Sequence, residues 1–179
     1  MTKLSRRLLH GVANAFERVL RSSRILVSSC HDVYSNLAME DWIYANVEFP
    51  SSESVNCNKS LVLLWRNRPC VVVGRHQNCW VESNIHEALA DGVQVARRRS
   101  GGGTVYHDLG NVNCTIFTNR KDYNRKRNLN VIASALRETW NLDVTVTPRD
   151  DLLLDNQFKV FVNNHQLLKL ISFSLRMIV

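Results

Sequence analysis

The spacing of apolar residues changes several times along the chain, and each change marks an element. Behind Asp32 or Ser35, either of which can cap a first turn, Leu37, Ala38, Trp42 and Ala45 recur at helical spacing, which predicts a helix to about Val47 with these four on its inner side. A polar, Pro-led stretch at 50–59 reads as a loop. Compact apolar runs at 61–65 and 70–73 predict two strands, turned by Asn67, Arg68 and Pro69 and closed by Gly74. Asn84 with Glu87 signals a short helix with Ile85 and Leu89 inward and Gly92 at its C-terminal cap. Strands are predicted at 93–96, 104–106 and 112–117, then a helix carrying Leu129, Ile132, Leu136 and Trp140. A strand at 144–146 and a hairpin of 152–154 with 158–161 complete the series. Several strands precede the long helix, so the order predicts an α+β domain rather than a doubly wound parallel sheet.

The net charge of +7 suggests a nucleic-acid partner until its distribution is considered. Residues 1–30 hold Lys3, Arg6, Arg7, Arg18, Arg21 and Arg24 against Glu17 alone, which leaves +2 of that +7 for the rest. The body has no groove-reading motif and no aromatic stacking string, so no nucleic-acid partner is expected. Residues 1–30 are Arg-rich, Ser-containing and nearly free of acid, with Leu4, Leu8, Val12, Phe16, Val19 and Leu20 along one helical stripe. That composition predicts a mitochondrial targeting leader, its alternative being a basic surface helix. Without a run of 18 apolar residues, no membrane insertion is expected. The five cysteines include no C-x-x-C pair, which argues against a zinc site or a disulfide framework, and no metal ligands are expected.

The chemistry concentrates in Arg97-Arg98-Arg99-Ser100-Gly101-Gly102-Gly103. Three glycines directly after a strand fit a backbone that bends sharply or approaches something closely. Their N–H groups can cradle a phosphate or carboxylate oxygen, and the arginines add forked positive donors. By composition alone the segment reads equally as a flexible turn beside a solvated basic run. It is neither a P-loop nor a dinucleotide fingerprint, since neither spacing is present.

The string from Val95 to Asn111, with its Arg-Arg-x-Ser-Gly-Gly-Gly-x-Val-x-His-Asp core, strongly resembles the signature of the lipoate–protein ligase A family. Asn36-Leu37-Ala38 with Glu40 is similar to that family's first helix. Trp65, Asn67 and Pro69, then residues 73–78, resemble its next two strands, and Arg149-Asp150-Asp151-Leu152 its segment before a catalytic lysine. The leader and the detailed sequence resemble the mitochondrial lipoyltransferases of the family. This implies a mixed, largely antiparallel sheet with flanking helices, the biotin/lipoate protein ligase catalytic fold in incomplete form. Residues 31–160 would be the N-terminal part of that catalytic domain and 161–179 a divergent tail.

The resemblance also implies roles. Arg98 is similar to the arginine that contacts the acyl-adenylate, with Ser100 and Gly101, Gly102 and Gly103 lining its phosphate and carbonyl. Gln77, Asn78 and His107 would shape the acyl pocket, supported by Asn111. Asp151 and Lys159 would be the catalytic pair, the first near the target amine and the second on the phosphate. The implied activity is transfer of a lipoyl group, from lipoyl-AMP or a lipoylated donor protein, to a lysine on lipoyl domains of 2-oxoacid dehydrogenase E2 subunits or glycine-cleavage H protein, in the mitochondrial matrix. No tightly bound cofactor is implied, and Mg-ATP would be needed only for a ligase that makes its own adenylate. A binding-only protein is the alternative of a different class. After Lys159-Val160 the family's small residues give way to Phe161, which predicts weakened folding and transfer.

Overall fold

The computed structural model describes residues 25–49, 60–159 and 172–178; Lys159 and 172–178 are described by backbone alone. The leader up to residue 24, the 50–59 loop and residues 160–171, including Phe161, lie outside the described residues.

A central antiparallel pair organises the molecule: β2 (Ser60–Trp65) against β6 (Asn111–Thr118), in register Leu63 opposite Thr115. β1 (Ile25–Val27) adds in parallel beside β2, and β10 (Ser172–Ile178) in parallel beside β6. A second sheet has β3 (Cys70–Val73) between parallel β4 (Gln94–Arg97) and antiparallel β5 (Val105–His107). A third is the antiparallel meander of β7 (Val144–Val146), β8 (Leu152–Leu154) and β9 (Phe158–Lys159). Four of these seven pairings are antiparallel, so the mixed, largely antiparallel α+β expectation holds, spread over three sheets rather than one.

The central pair is covered on both faces, which is why β2 reads as a near-continuous apolar run and why β6 buries polar Asn111, Asn113 and Thr115 beside its apolar residues. Alternate side chains enter different cores. Leu61, Leu63, Trp65 and Phe117 join Val33, Leu37 and Ile43 of α1 (Val33–Asn46) and Cys70, Val72 and Ala96 of the second sheet. Cys114 and Ile116, flanked by Val62 and Leu64, join Leu129, Ala133 and Leu136 of α4 (Arg125–Trp140) and Val144 and Leu152 of the third sheet. Burial pushes the Cys114 thiol up to about 12, so it packs as a small apolar side chain.

Three differences from the sequence pattern have local causes. Ile25–Val27, inside the expected 1–30 leader, pair with Val62–Leu64, so the folded body includes residues assigned to that leader. The long helix starts at Arg125, because the Asn124 side chain accepts the Arg127 N–H at 2.9 Å and caps it. α1 turns Val33, Asn36, Leu37, Glu40 and Ile43 inward and leaves Ala38 and Ala45 exposed. Two polar residues thus occupy the inward stripe, and an apolar-only template rotates the predicted face. Asp32 caps α1 through the Ser35 N–H at 2.8 Å; that backbone bond, then Gln94, holds its carboxyl below the ordinary range. Leu89 and Trp140, expected inside, are exposed.

Leu129 is fully buried in the second core, whereas Val131, two residues on, is 61% exposed. Leu129→Ala should lower unfolding free energy by about 2–5 kcal/mol, and Val131→Ala should change it by no more than about 0.5 kcal/mol, in urea titrations of the two variants. Equal losses would contradict the assignment of this helix face.

Candidate functional site

β4 and β5 flank β3, and the segment joining them wraps over the end of β3 at Gly74. Two backbone bonds seat it: Arg98 N–H to Val73 O at 3.0 Å and Arg75 N–H to Ser100 O at 3.1 Å. The fit leaves no room for a side chain at Gly74, where a Cβ would lie 1.9 Å from the Gly102 carbonyl oxygen. Gly102 itself has φ +97°, a conformation that glycine adopts without strain.

The three arginines have different tasks. Arg98, 6% exposed, donates through Nη1 to Val72 O (3.1 Å), through Nη2 to Gly101 O (2.9 Å) and Gly103 O (2.6 Å), and through Nε to Gly101 O (3.3 Å). Its guanidinium grips the loop's own carbonyls. Arg97 donates to Gly74 O at 2.9 Å and Gln77 O at 2.7 Å, with a longer contact to Arg75 O. Arg99 sits over the Tyr44 ring, 5.6 Å from its centroid. Because the carbonyls are held from below, the N–H groups of Ser100, Gly101 and Gly102 have no partner among the described residues. Gly101 and Gly102 are exposed, with open space where a Gly101 Cβ would stand. Consecutive unpartnered N–H groups backed by buried positive charge are suited to donate to an anionic oxygen.

Gln77 braces the loop. Its Oε1 accepts from Gly74 N–H at 3.0 Å and from Thr104 Oγ at 2.9 Å, which ties both ends of the loop together. Asn78 stands at the rim and caps α2 (Cys79–Glu82) by accepting the Trp80 N–H at 3.1 Å.

His107 and Asn111 are elsewhere. His107 pairs with Cys70, four residues before Gly74 in β3, which places it roughly 13 Å along the strand at ~3.3 Å per residue. It is 1% exposed, 3.2 Å from Asn67 Nδ2 and edge-on to Trp65. Asn111, also buried, donates to Asn113 Oδ1 at 3.4 Å. Asp151 lies in the turn between β7 and β8 and Lys159 in β9, all part of the third sheet's unit, whose Val144 and Leu152 pack in the second core. The Asp151 N–H is held by Thr147 Oγ at 3.1 Å, next to Asp150 in the left-handed region (φ +59°) and its ion pair with Arg125 at 3.7 Å. The structure therefore gathers Arg98, Ser100, Gly101, Gly102, Gly103 and Gln77 into one site and places His107, Asn111, Asp151 and Lys159 on other supports.

Sequence reasoning missed Gly74 as the loop's seat, Thr104 as its brace, and the buried Asn36, Asn67, Asn113 and Thr115. Only Asn36 had a pattern signal, its place at helical spacing among Val33, Leu37 and Glu40. Among the described residues no group of three or more His, Cys, Asp or Glu is placed to hold a metal, and no helix is long and apolar enough to cross a membrane.

The family model for the lipoyl protein ligase A/B catalytic domain matches residues 32–161. Human mitochondrial lipoyl amidotransferase LIPT1 is 47% identical over 149 residues, covering 83% of this chain and 38% of the relative. Lipoate-protein ligase A of Psychrobacter cryohalolentis is 41% identical over 129 residues, 72% of this chain and 35% of the relative. Among solved structures, Plasmodium falciparum LipL1 in complex with lipoate superposes with a TM-score of 0.61 at 34% identity, over 75% of this chain and 41% of that one. The chain thus spans about two fifths of the length of these relatives.

Gly74→Ala should speed hydrogen exchange of the Arg75 and Arg98 amides by at least about tenfold, ~1.4 kcal/mol of local stability. Gly101→Ala should leave both unchanged. Unaltered protection in Gly74→Ala would contradict the close approach of Gly74 and Gly102.

Proposed function

The chain belongs to the lipoyl protein ligase A/B catalytic-domain family, and on that premise we propose that it binds lipoyl-AMP at the glycine loop and serves protein lipoylation in mitochondria. The observation that carries this reading is the row of unpartnered N–H groups at Ser100, Gly101 and Gly102, held open by the Arg98 guanidinium. An acyl-adenylate offers such a row a phosphate and an acyl carbonyl, both acceptors.

The amine of a target lysine attacks the acyl carbon, an amide forms, and the acyl–phosphate bond breaks with its electron pair leaving on AMP. Backbone donors at the loop stabilise the oxygen charge that grows in between. Asp151 takes the proton that the attacking amine must lose, and Lys159 neutralises the departing phosphate. His107, at the end of the loop's exit strand β5, shapes the acyl pocket, and Asn111, at the start of β6, supports it. The acceptors are lipoyl domains of 2-oxoacid dehydrogenase E2 subunits and of glycine-cleavage H protein, with no nucleic acid and no membrane insertion. Import rests on the basic leader expected at residues 1–30. Lipoyl-AMP is the substrate; Mg-ATP is required only if the protein makes its own adenylate. Bacterial relatives named lipoate-protein ligase A keep that second reading in view, and release of pyrophosphate from ATP and lipoate separates the two.

The test is intact-mass spectrometry of an apo lipoyl domain incubated with lipoyl-AMP and the full chain. The expected result is a lipoyl-sized gain above background. Arg98→Ala should weaken adenylate binding at least about tenfold, ~1.4 kcal/mol, beyond any effect of Arg125→Ala. No gain beside a working family member would overturn transfer and leave a binding protein, and equal effects of the two variants would reject the loop as the site.

A further inference from the structure

Behind the loop, side-chain amides form a buried chain from α1 to β5. Asn36 and Asn67 are both fully buried, on α1 and on the turn between β2 and β3. Asn36 Nδ2 faces Cys30 O at 3.0 Å, Arg66 O at 3.1 Å and Asn67 Oδ1 at 2.9 Å. Asn36 Oδ1 accepts from Ser28 Oγ at 2.7 Å. Asn67 Nδ2 in turn lies 3.2 Å from His107 Nδ1.

Hydrogen placement along this chain follows from its first link. Backbone carbonyls only accept, so two of them fix which end of the Asn36 amide is nitrogen. Against that nitrogen Asn67 must present its oxygen, since two N–H groups facing each other inside a core would both be unsatisfied. Asn67 Nδ2 is then turned toward the imidazole as a donor, and His107 Nδ1 must accept. Rotation of the ring is opposed by the Trp65 indole, edge-on at 6.0 Å and 77°.

We propose that Asn67, oriented by Asn36, is a positioning residue that fixes His107 as the neutral Nε2–H tautomer, with Nδ1 held as the acceptor of the Asn67 N–H and so not free to take a proton. The other ring nitrogen in a histidine is routinely set by such a partner. The consequence for lipoyl transfer rests on the function proposed above: proton acceptance from the attacking lysine falls to a carboxylate such as Asp151, not to His107. The tautomer itself does not depend on that function.

The experiment is a long-range proton–nitrogen correlation spectrum of the full chain labelled with 15N-histidine, with His107 assigned through its contact with Trp65. The expected pattern has hydrogen on Nε2 and a bare Nδ1. Asn67→Asp replaces the donor facing Nδ1 with an oxygen and should move hydrogen onto Nδ1. Asn67→Ala should remove the preference. A wild-type spectrum with hydrogen on Nδ1 would overturn the proposal without any variant having to fold, and so would an unchanged pattern in a folded Asn67→Asp protein. Lipoyl transfer measured alongside keeps the two ideas apart: lost transfer with Nε2–H intact refutes the function and leaves the tautomer standing.

Discussion

The glycine loop keeps its shape because one buried guanidinium holds three carbonyl oxygens, Val72, Gly101 and Gly103, at once. A charge taken out of water is stable only when its donors are well matched, and a planar fork does this where an ammonium would not. With those carbonyls drawn inward, the N–H groups between them turn outward. The contact at Gly74 completes the constraint, since only hydrogen fits between the end of β3 and the Gly102 carbonyl. The exposed surface of the loop is therefore backbone, and the arginine beneath it holds that backbone in shape.

The same logic of satisfied polar groups extends into the first core. Glu40 accepts from Thr115 Oγ, Thr115 Oγ from the Trp65 indole, and Asn36 and Asn67 link α1 to β5. Each group is unfavourable when buried alone and stabilising as part of a closed network. The second core, with Leu129, Ala133, Leu136, Val144 and Leu152, is largely apolar by contrast. The face that carries α1 and the glycine loop is thus held by directional bonds as well as packing, while the face that carries α4 and the Asp151 turn is held mainly by packing.

Much of this was legible in the chain. Apolar runs located both strands of the central pair, and three glycines after a strand marked the loop that wraps over the end of β3. Pattern reading failed where position depends on partners distant in sequence. Nothing near Gly74 in the chain reveals that Gly102 will sit against it. The carbonyl partners of Arg98 are assembled only by the fold, so its hold on the loop cannot be read from its neighbours in the chain. Asn36 and Glu40 carried the resemblance of the first helix, but an apolar template gave no reason to place them inside, where they join a buried network. Ile25–Val27 were absorbed into a basic leader because three residues carry too little pattern to announce a strand, and the pairing with Val62–Leu64 supplies what the sequence lacks.

That the loop presents backbone N–H groups to an adenylate is the claim on which the functional account turns. Amide chemical shifts, followed while a non-hydrolysable lipoyl-adenylate analogue is added to the full chain, test it directly. The account predicts the largest changes at Ser100, Gly101 and Gly102, with the Arg75 and Arg98 amides still protected in their bonds to Ser100 and Val73. Changes centred on α4, or none at saturating analogue, would contradict it.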